Sequence, residues 1–258
     1  MLIASMFLVS VLLNSAPAFS KGKKKRPAKK PDISVFDMSH SEMFQPANDG
    51  PLDYSAFMKL LKTNAAEVAF NKGRITARSL DMARTYILAG PTEPLTPEEI
   101  DALKQFVKRG GNLLVLIQTS APVARLTEAF GVIVSKVVIA EQADTINGQA
   151  QDFYVTRFAQ HDVTDGLKKI SVYESWGLMP RADARIVAAT SENAFADTNR
   201  NRTLDKGEPV MTFGIIGVCA FGKGKVAVLS DDAPFTNQHI AHVENKKLAE
   251  NIIKWFRQ

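Results

Sequence analysis

The chain has 258 residues, 45% of them hydrophobic, enough to bury the core of one sizeable domain or two small ones. Its net charge of +5 comes from a tail: residues 21–30 (KGKKKRPAKK) hold seven basic groups and no acid, and without them the chain is slightly acidic. A near-neutral body excludes the broad basic face of a nucleic-acid-binding domain, and a single cysteine, Cys219, excludes an internal disulfide.

Residues 2–13 (LIASMFLVSVLL) form an apolar run of signal-peptide length, followed by the small residues Ala16, Pro17 and Ala18. This predicts a signal peptide over 1–20 and export to the periplasm or the cell exterior. No basic segment precedes the run, and a basic one follows it. The alternative is therefore an uncleaved anchor that leaves the domain on the cytoplasmic side. No cysteine lies near the cleavage site, which argues against a lipoprotein. Residues 21–31 read as a basic disordered linker, able to touch an anionic membrane surface by charge attraction. The folded domain is expected over 32–258.

In chain order, 33–36 reads as a strand that exits into Asp37-Met38-Ser39-His40-Ser41-Glu42. A polar loop follows, and Asp53 is placed to cap a helix with the apolar face Tyr54, Phe57, Leu60 and Leu61. Strands are expected at 67–70 and 85–89. Thr96 and Glu99 then form a capping box with Pro97 at the first helical position. Ile100, Leu103, Phe106 and Val107 make that helix's apolar stripe, and Gly110 suits its left-handed C-terminal cap. Residues 113–117 are continuously apolar, as in a strand covered on both faces. The exit is Gln118-Thr119-Ser120, where Ser120 is read as the cap of a helix carrying Leu126, Ala129 and Phe130 and stopped by Gly131. This alternation is the doubly wound α/β pattern. Beyond Val132 the texture turns β-rich, with strands expected at 132–139, 153–158, 170–173, 186–189, 210–218 and 225–229. A final helix at 245–256 is spaced through Leu248, Ile252, Ile253 and Phe256.

The sharpest chemical motif is the twelve-residue segment 197–208 (DTNRNRTLDKGE). Oxygen donors at positions 1, 3, 5, 7, 9 and 12 of a calcium loop would be Asp197, Asn199, Asn201, the Thr203 carbonyl, Asp205 and Glu208. Arg202 stands at position six, where glycine usually makes the turn. Arg200, Arg202 and Lys206 offset the carboxylates, so weak binding is expected. The other reading is a polar hairpin loop held by Asx turns. A second candidate is composite. Asp37, His40, Glu42, Gln118, Asp231 and Asp232 all follow predicted strands, and in a parallel sheet such exits converge on one edge. They would line a ligand pocket for sugar or peptide, or else serve ordinary turn and capping chemistry. His239 and His242 are read as loop residues in preference to a metal pair, and His161 as structural. Trp176, Trp255 and Cys219 are read as packing residues.

Four phrases occur in order: VFDMSHSEMF (35–44), the helix and strand of 95–116, HDVTDGL (161–167), and GKGKVAVLSDDAPFTN with NKKLAENIIKWF (222–237 and 245–256). Together they resemble the class I glutamine amidotransferase-like superfamily. The likeness is to its bacterial envelope branch, with gliding-motility-type ABC-transport accessory proteins and intraflagellar-transport-type domains. The resemblance implies a flavodoxin-like, mostly parallel sheet flanked by helices, with β-rich additions in the second half. Catalytic members carry a Cys on a strained elbow after a strand. Here that exit is Ile117-Gln118-Thr119-Ser120-Ala121, and Ser120 lacks the G-x-S-x-G setting of a nucleophilic serine. The expected function is a non-catalytic, exported binding or scaffolding domain that engages an envelope protein complex or a glycan and carries a calcium loop. The alternatives are a hydrolase of glycans or esters using the strand-exit carboxylates with His40, and a membrane-anchored adaptor.

Overall fold

A computed structural model describes residues 32–64 and 66–258. The expected signal peptide (1–20) and basic linker (21–31) lie outside the described residues. In chain order the strands are β1 (Ile33–Asp37), β2 (Glu67–Asn71), β3 (Thr85–Ala89), β4 (Asn112–Leu116), β5 (Val132–Ala140), β6 (Thr145–Ile146), β7 (Gln149–Val155), β8 (Arg157–Phe158), β9 (Ile170–Tyr173), β10 (Trp176–Pro180), β11 (Arg185–Ala189), β12 (Phe195–Ala196), β13 (Gly214–Phe221) and β14 (Gly224–Leu229). The helices are α1 (Ser55–Thr63), α2 (Ala77–Leu80), α3 (Pro97–Lys108), α4 (Ser120–Ala129) and α5 (Asn245–Arg257).

Among the described residues, eleven strands form one mixed sheet whose main path is β12-β5-β10-β13-β14-β4-β3-β1-β2, with β11 on β13 and β8 on β11. The half from β14 to β2 is parallel throughout. From β13 onward every pairing is antiparallel. The expected parallel arrangement therefore holds for one half only. The cause is local: β13 and β14 are joined by a tight hairpin that pairs Phe221 with Gly224, and a hairpin can only be antiparallel. Gly222 makes that turn at φ 63°, and a Cβ there would fall 2.7 Å from the Lys108 carbonyl oxygen at the end of α3. A smaller antiparallel sheet, β6-β7-β9, stands beside the main one.

Strand alternation splits the core by face. Phe36, Ile87, Leu114, Leu116, Ala227 and Leu229 share a cluster with Phe57 and Leu61 of α1 and with Leu248, Ile252 and Phe256 of α5. Val35, Tyr86, Leu88, Leu113, Val115, Val226 and Val228 share the other with Leu103 and Phe106 of α3 and Val123 and Leu126 of α4. Cys219 is buried in this second cluster as a small apolar residue, and burial pushes its thiol pKa up. Among the described residues, no helix is long and apolar enough to cross a membrane.

The α3 capping box forms as expected. Thr96 Oγ1 accepts from the Glu99 amide at 3.3 Å, and the Thr96 amide donates to Glu99 Oε2 at 2.9 Å. Gly110 follows at φ 107°. Thr96→Ala should lower stability by about 1 kcal/mol in urea denaturation. Two other caps differ from expectation. Asp53 does not cap α1; its carboxylate accepts from the amides of Gln45 at 2.6 Å and Gly50 at 3.1 Å, closing the loop ahead of the helix. Ser120 is the first residue of α4, not its cap, and Thr119 at the cap position makes no side-chain capping bond. The strand expected from Val210 begins only at Gly214; Val210 makes an isolated bridge to Phe195.

Candidate functional site

The C-terminal ends of β1, β3, β4 and β14 open on the same sheet edge because these strands are parallel. The candidate residues at that edge form two separate groups.

The first group borders an open cleft of about 660 Å³, lined among others by Phe44, Leu52, Gln118, Tyr173, Trp176, Arg200, Asp231, Asp232 and His239. That volume falls in the range of small-ligand pockets. Asp231 braces two elements: its Oδ1 accepts from the Ala233 amide at 2.9 Å and its Oδ2 from the Tyr173 amide at 2.6 Å, linking the end of β14 to the small sheet. Asp232 Oδ2 accepts from Tyr54 Oη at 2.6 Å. It also lies 2.8 Å from where a Cβ on Gly90 would be, so the chain passes this carboxylate only with a glycine, at φ 64°. Burial raises Asp232 to about 6, against the hydrogen bond from Tyr54. Burial, and then the charge of Asp232, hold Asp231 well above the usual carboxylate range. The exit of β4 contributes Gln118, whose carbonyl accepts from Trp176 Nε1 at 3.0 Å and whose side-chain Oε1 is buried without a hydrogen-bond partner. His239 stacks on Tyr173 with ring centroids 3.7 Å apart, and Tyr173 Oη lies 2.5 Å from His242 Nδ1. Both histidines thus support the cleft wall from the turn before α5.

The second group is buried and does not line the cleft. Asp37, His40 and Glu42 are 1%, 5% and 7% exposed. His40 Nδ1 lies 2.5 Å from Asp37 Oδ2, and its Nε2 lies 3.4 Å from Glu99 Oε2. Asp37 Oδ1 accepts from Tyr86 Oη at 2.6 Å and from Ser39 Oγ at 2.9 Å. Glu42 Oε2 accepts from the His40 amide at 3.1 Å, while Glu42 Oε1 is buried without a partner. Burial opposes charge on His40, but Asp37 and then Glu99 overcome it and raise the imidazole to about 9. Burial would raise Asp37, but hydrogen bonds from His40 and Tyr86 hold it below its usual value. Burial and then the neighbouring Asp37 lift Glu42 to about 7, against the backbone amide hydrogen bonds it accepts. One ligating atom from each of Asp37, His40 and Glu42 falls within a 4.8 Å sphere of mutual distances, and no other His, Cys, Asp and Glu group converges so among the described residues.

The two groups part because the segment after β1 turns away from β14. The Thr92 and Glu93 amides donate to the His40 carbonyl at 3.0 and 3.1 Å, and Ser41 takes a left-handed φ of 55°. This pins His40 beside the β3 exit and α3. Tyr86, Glu99, Tyr54 and Tyr173 are site residues that local sequence reading missed. Glu99 was visible only as a cap, and that capping box is what aims its carboxylate at His40.

The segment 197–208 folds as a compact loop. Asp197, fully buried, accepts from the Asn201 amide at 3.1 Å, the Arg202 amide at 2.9 Å and Gln151 Nε2 at 2.7 Å. Asn199 and Asn201 both donate to Asp205 Oδ2, at 2.7 and 2.6 Å. Glu208 accepts from the Thr198 and Asp205 amides at 2.7 and 3.1 Å, and Asn201 Oδ1 from the Thr203 amide at 2.8 Å. Arg202 makes the turn at φ 65° in glycine's place, and its guanidinium reaches Glu174 at 3.1 Å. Arg200 of this loop lines the cleft.

These features define an α/β domain with a mixed sheet and a cleft beside the ends of its parallel strands. The chain belongs to the domain-of-unknown-function family DUF4350, whose model matches residues 46–253. It is 22% identical to the intraflagellar transport protein 52 homolog of Mus musculus over 86% of this chain and 54% of that protein, and so spans about half the length of this curated relative. In fold it is similar to the mmIFT52 N-terminal domain, with a TM-score of 0.70 at 19% identity, covering 87% of this chain and 97% of that one. A putative ThuA-like protein from Bacteroides uniformis gives a TM-score of 0.53 at 13% identity, covering 92% and 95%. The expected kinship with intraflagellar-transport-type domains is met by these likenesses.

Proposed function

We propose that this chain is a non-catalytic binding domain, exported to the bacterial envelope, whose cleft holds a glycan or a segment of an envelope protein complex. The observation that carries this reading is the cleft itself. It combines the aromatic rings of Phe44, Tyr173 and Trp176 with the carboxylate of Asp232, and Gln118 stands at its β4 exit. Aromatic faces beside carboxylates suit the apolar and hydroxyl faces of a sugar ring. The order β2-β1-β3-β4-β14 of the parallel half supports a flavodoxin-like, glutamine amidotransferase-like ancestry. In that scaffold the exit Ile117-Gln118-Thr119-Ser120-Ala121 stands where catalytic members carry the reactive thiol. The hydrolase alternative draws no support from His40, whose two ring nitrogens both face carboxylates.

Calcium belongs to the same proposal. Asp197, Asn199, Asn201, Thr203, Asp205 and Glu208 stand at the oxygen-donor positions of a calcium loop, and the gathering of Asn199 and Asn201 about Asp205 supports this reading. A weak site of this kind suits the millimolar calcium outside cells.

Two measurements test the reading. Millimolar calcium should raise the melting temperature of EDTA-treated protein by a few degrees, and Glu208→Gln should abolish the rise. An identical melt with and without calcium removes the metal. A glycan array probed with the wild type and with Gln118→Ala should show binding that the substitution weakens. Equal signal from both, or none from either, removes the cleft.

A further inference from the structure

We propose that Asp37, His40 and Glu42 form a binding site for one divalent transition-metal ion, of the Zn²⁺ or Mn²⁺ type, separate from the cleft and from the calcium loop.

Three observations carry it. The first is convergence: a carboxylate, an imidazole and a second carboxylate, all buried, present ligating atoms within 4.8 Å of one another from one six-residue stretch. The second is the unpartnered Glu42 Oε1 in a residue only 7% exposed. A buried carboxylate oxygen without a donor is costly, and a cation between it and Asp37 removes the cost. The third is the support around the three groups. His40 turns Nδ1 to Asp37 and Nε2 to Glu99, and a metal-bound histidine commonly gives its second ring N–H to a carboxylate in this way. Glu99 is fixed in turn by the amides of Ile75 at 3.1 Å and Thr96 at 2.9 Å. Tyr86 and Ser39 occupy Asp37 Oδ1, leaving Oδ2 to face His40 Nδ1.

Charge points the same way. Asp37, Glu42 and Glu99 are three carboxyl groups around a single imidazole, so the buried cluster offers more acceptors than donors. A divalent ion on Asp37 Oδ2, His40 Nδ1 and Glu42 Oε1 takes the place of the proton between Asp37 and His40 and restores balance in a buried setting. Mixed nitrogen and oxygen donors favour a first-row transition ion over calcium or magnesium. The site does not depend on the cleft reading, because none of its three residues lines the cleft.

The test uses full-length protein stripped with EDTA and titrated calorimetrically with ZnCl₂, MnCl₂ and CaCl₂. Zinc or manganese should bind with a stoichiometry of one, and Glu42→Gln should weaken that binding by at least about 100-fold. Glu208→Gln, in the calcium loop, should leave it unchanged. X-ray absorption at the zinc edge of the loaded wild type should show one imidazole in an oxygen-rich shell, a readout that stands even if the Glu42 variant fails to fold. Absence of zinc and manganese binding overturns the proposal. So does wild-type affinity in Glu42→Gln, or a zinc shell without imidazole; the Asp37 and Glu42 carboxylates then share a proton.

Discussion

Asp37→Ala should destabilise the protein by about 3–5 kcal/mol, the effect of removing one member of a buried ion pair. The size follows from what is left behind. The charged His40 imidazole loses the partner 2.5 Å from its Nδ1, and the Tyr86 and Ser39 hydroxyls lose their common acceptor. Glu99 alone, at 3.4 Å from Nε2, does not compensate. Tyr86→Phe is the graded comparison. It removes one hydrogen bond to Asp37 and the acceptor of an Asn71 donor at 2.8 Å, and should lower stability by about 1–3 kcal/mol. Urea midpoints in the presence of EDTA measure both without any contribution from bound metal. An Asp37→Ala loss no larger than that of Tyr86→Phe would mean that His40 is not held as an ion pair.

Asp232→Asn should change the pH dependence of stability. Burial raises the folded Asp232 to about 6, above its ordinary value of 3.8. A carboxyl raised by folding favours the folded state at pH values below its unfolded pKa. That advantage is lost as pH rises through the folded pKa. The wild type therefore loses stability at this group between about pH 4 and pH 6, by on the order of 2–3 kcal/mol. Asparagine carries no charge and can still accept from Tyr54 Oη through its carbonyl oxygen. The melting temperature of the variant relative to wild type should climb across that window and level off above it. A flat difference from pH 4 to pH 8 would mean that Asp232 titrates as an exposed carboxylate. The neighbour Asp231 makes a poorer subject, because it accepts from two backbone amides and an Asn amide would meet one of them donor to donor.

Much of the fold was legible because its signals are local. The capping box at Thr96, the apolar run after Gly110 and the 3.6-residue spacing of Leu248, Ile252 and Phe256 each depend on residues within a turn or two of one another. β10 was not legible: WGLMP is five residues long and ends in proline, and its place in the sheet comes from antiparallel pairing with β5. Strand direction was legible where helices alternate with strands, from β1 to β4, and hidden in the β-rich second half. At the site, sequence order placed the strand exits on one edge but not which of them would meet. His40 finds Glu99 59 residues away, and Tyr54 finds Asp232 178 residues away. Arg202 shows the converse: the hydrogen bond from its amide to Asp197 holds it in a left-handed conformation that its residue type does not favour.

β14 sits at the centre of the large sheet, between β13 and β4, although it is the last strand in sequence among the described residues. Until residues 224–229 leave the ribosome, β4 waits with one bare edge and the antiparallel half has nothing to join. The nascent chain must therefore hold more than a hundred residues, from Asn112 onward, in an unclosed state. Loss of this short segment at any stage would leave two sticky half-sheets, the form of the molecule most in need of a chaperone.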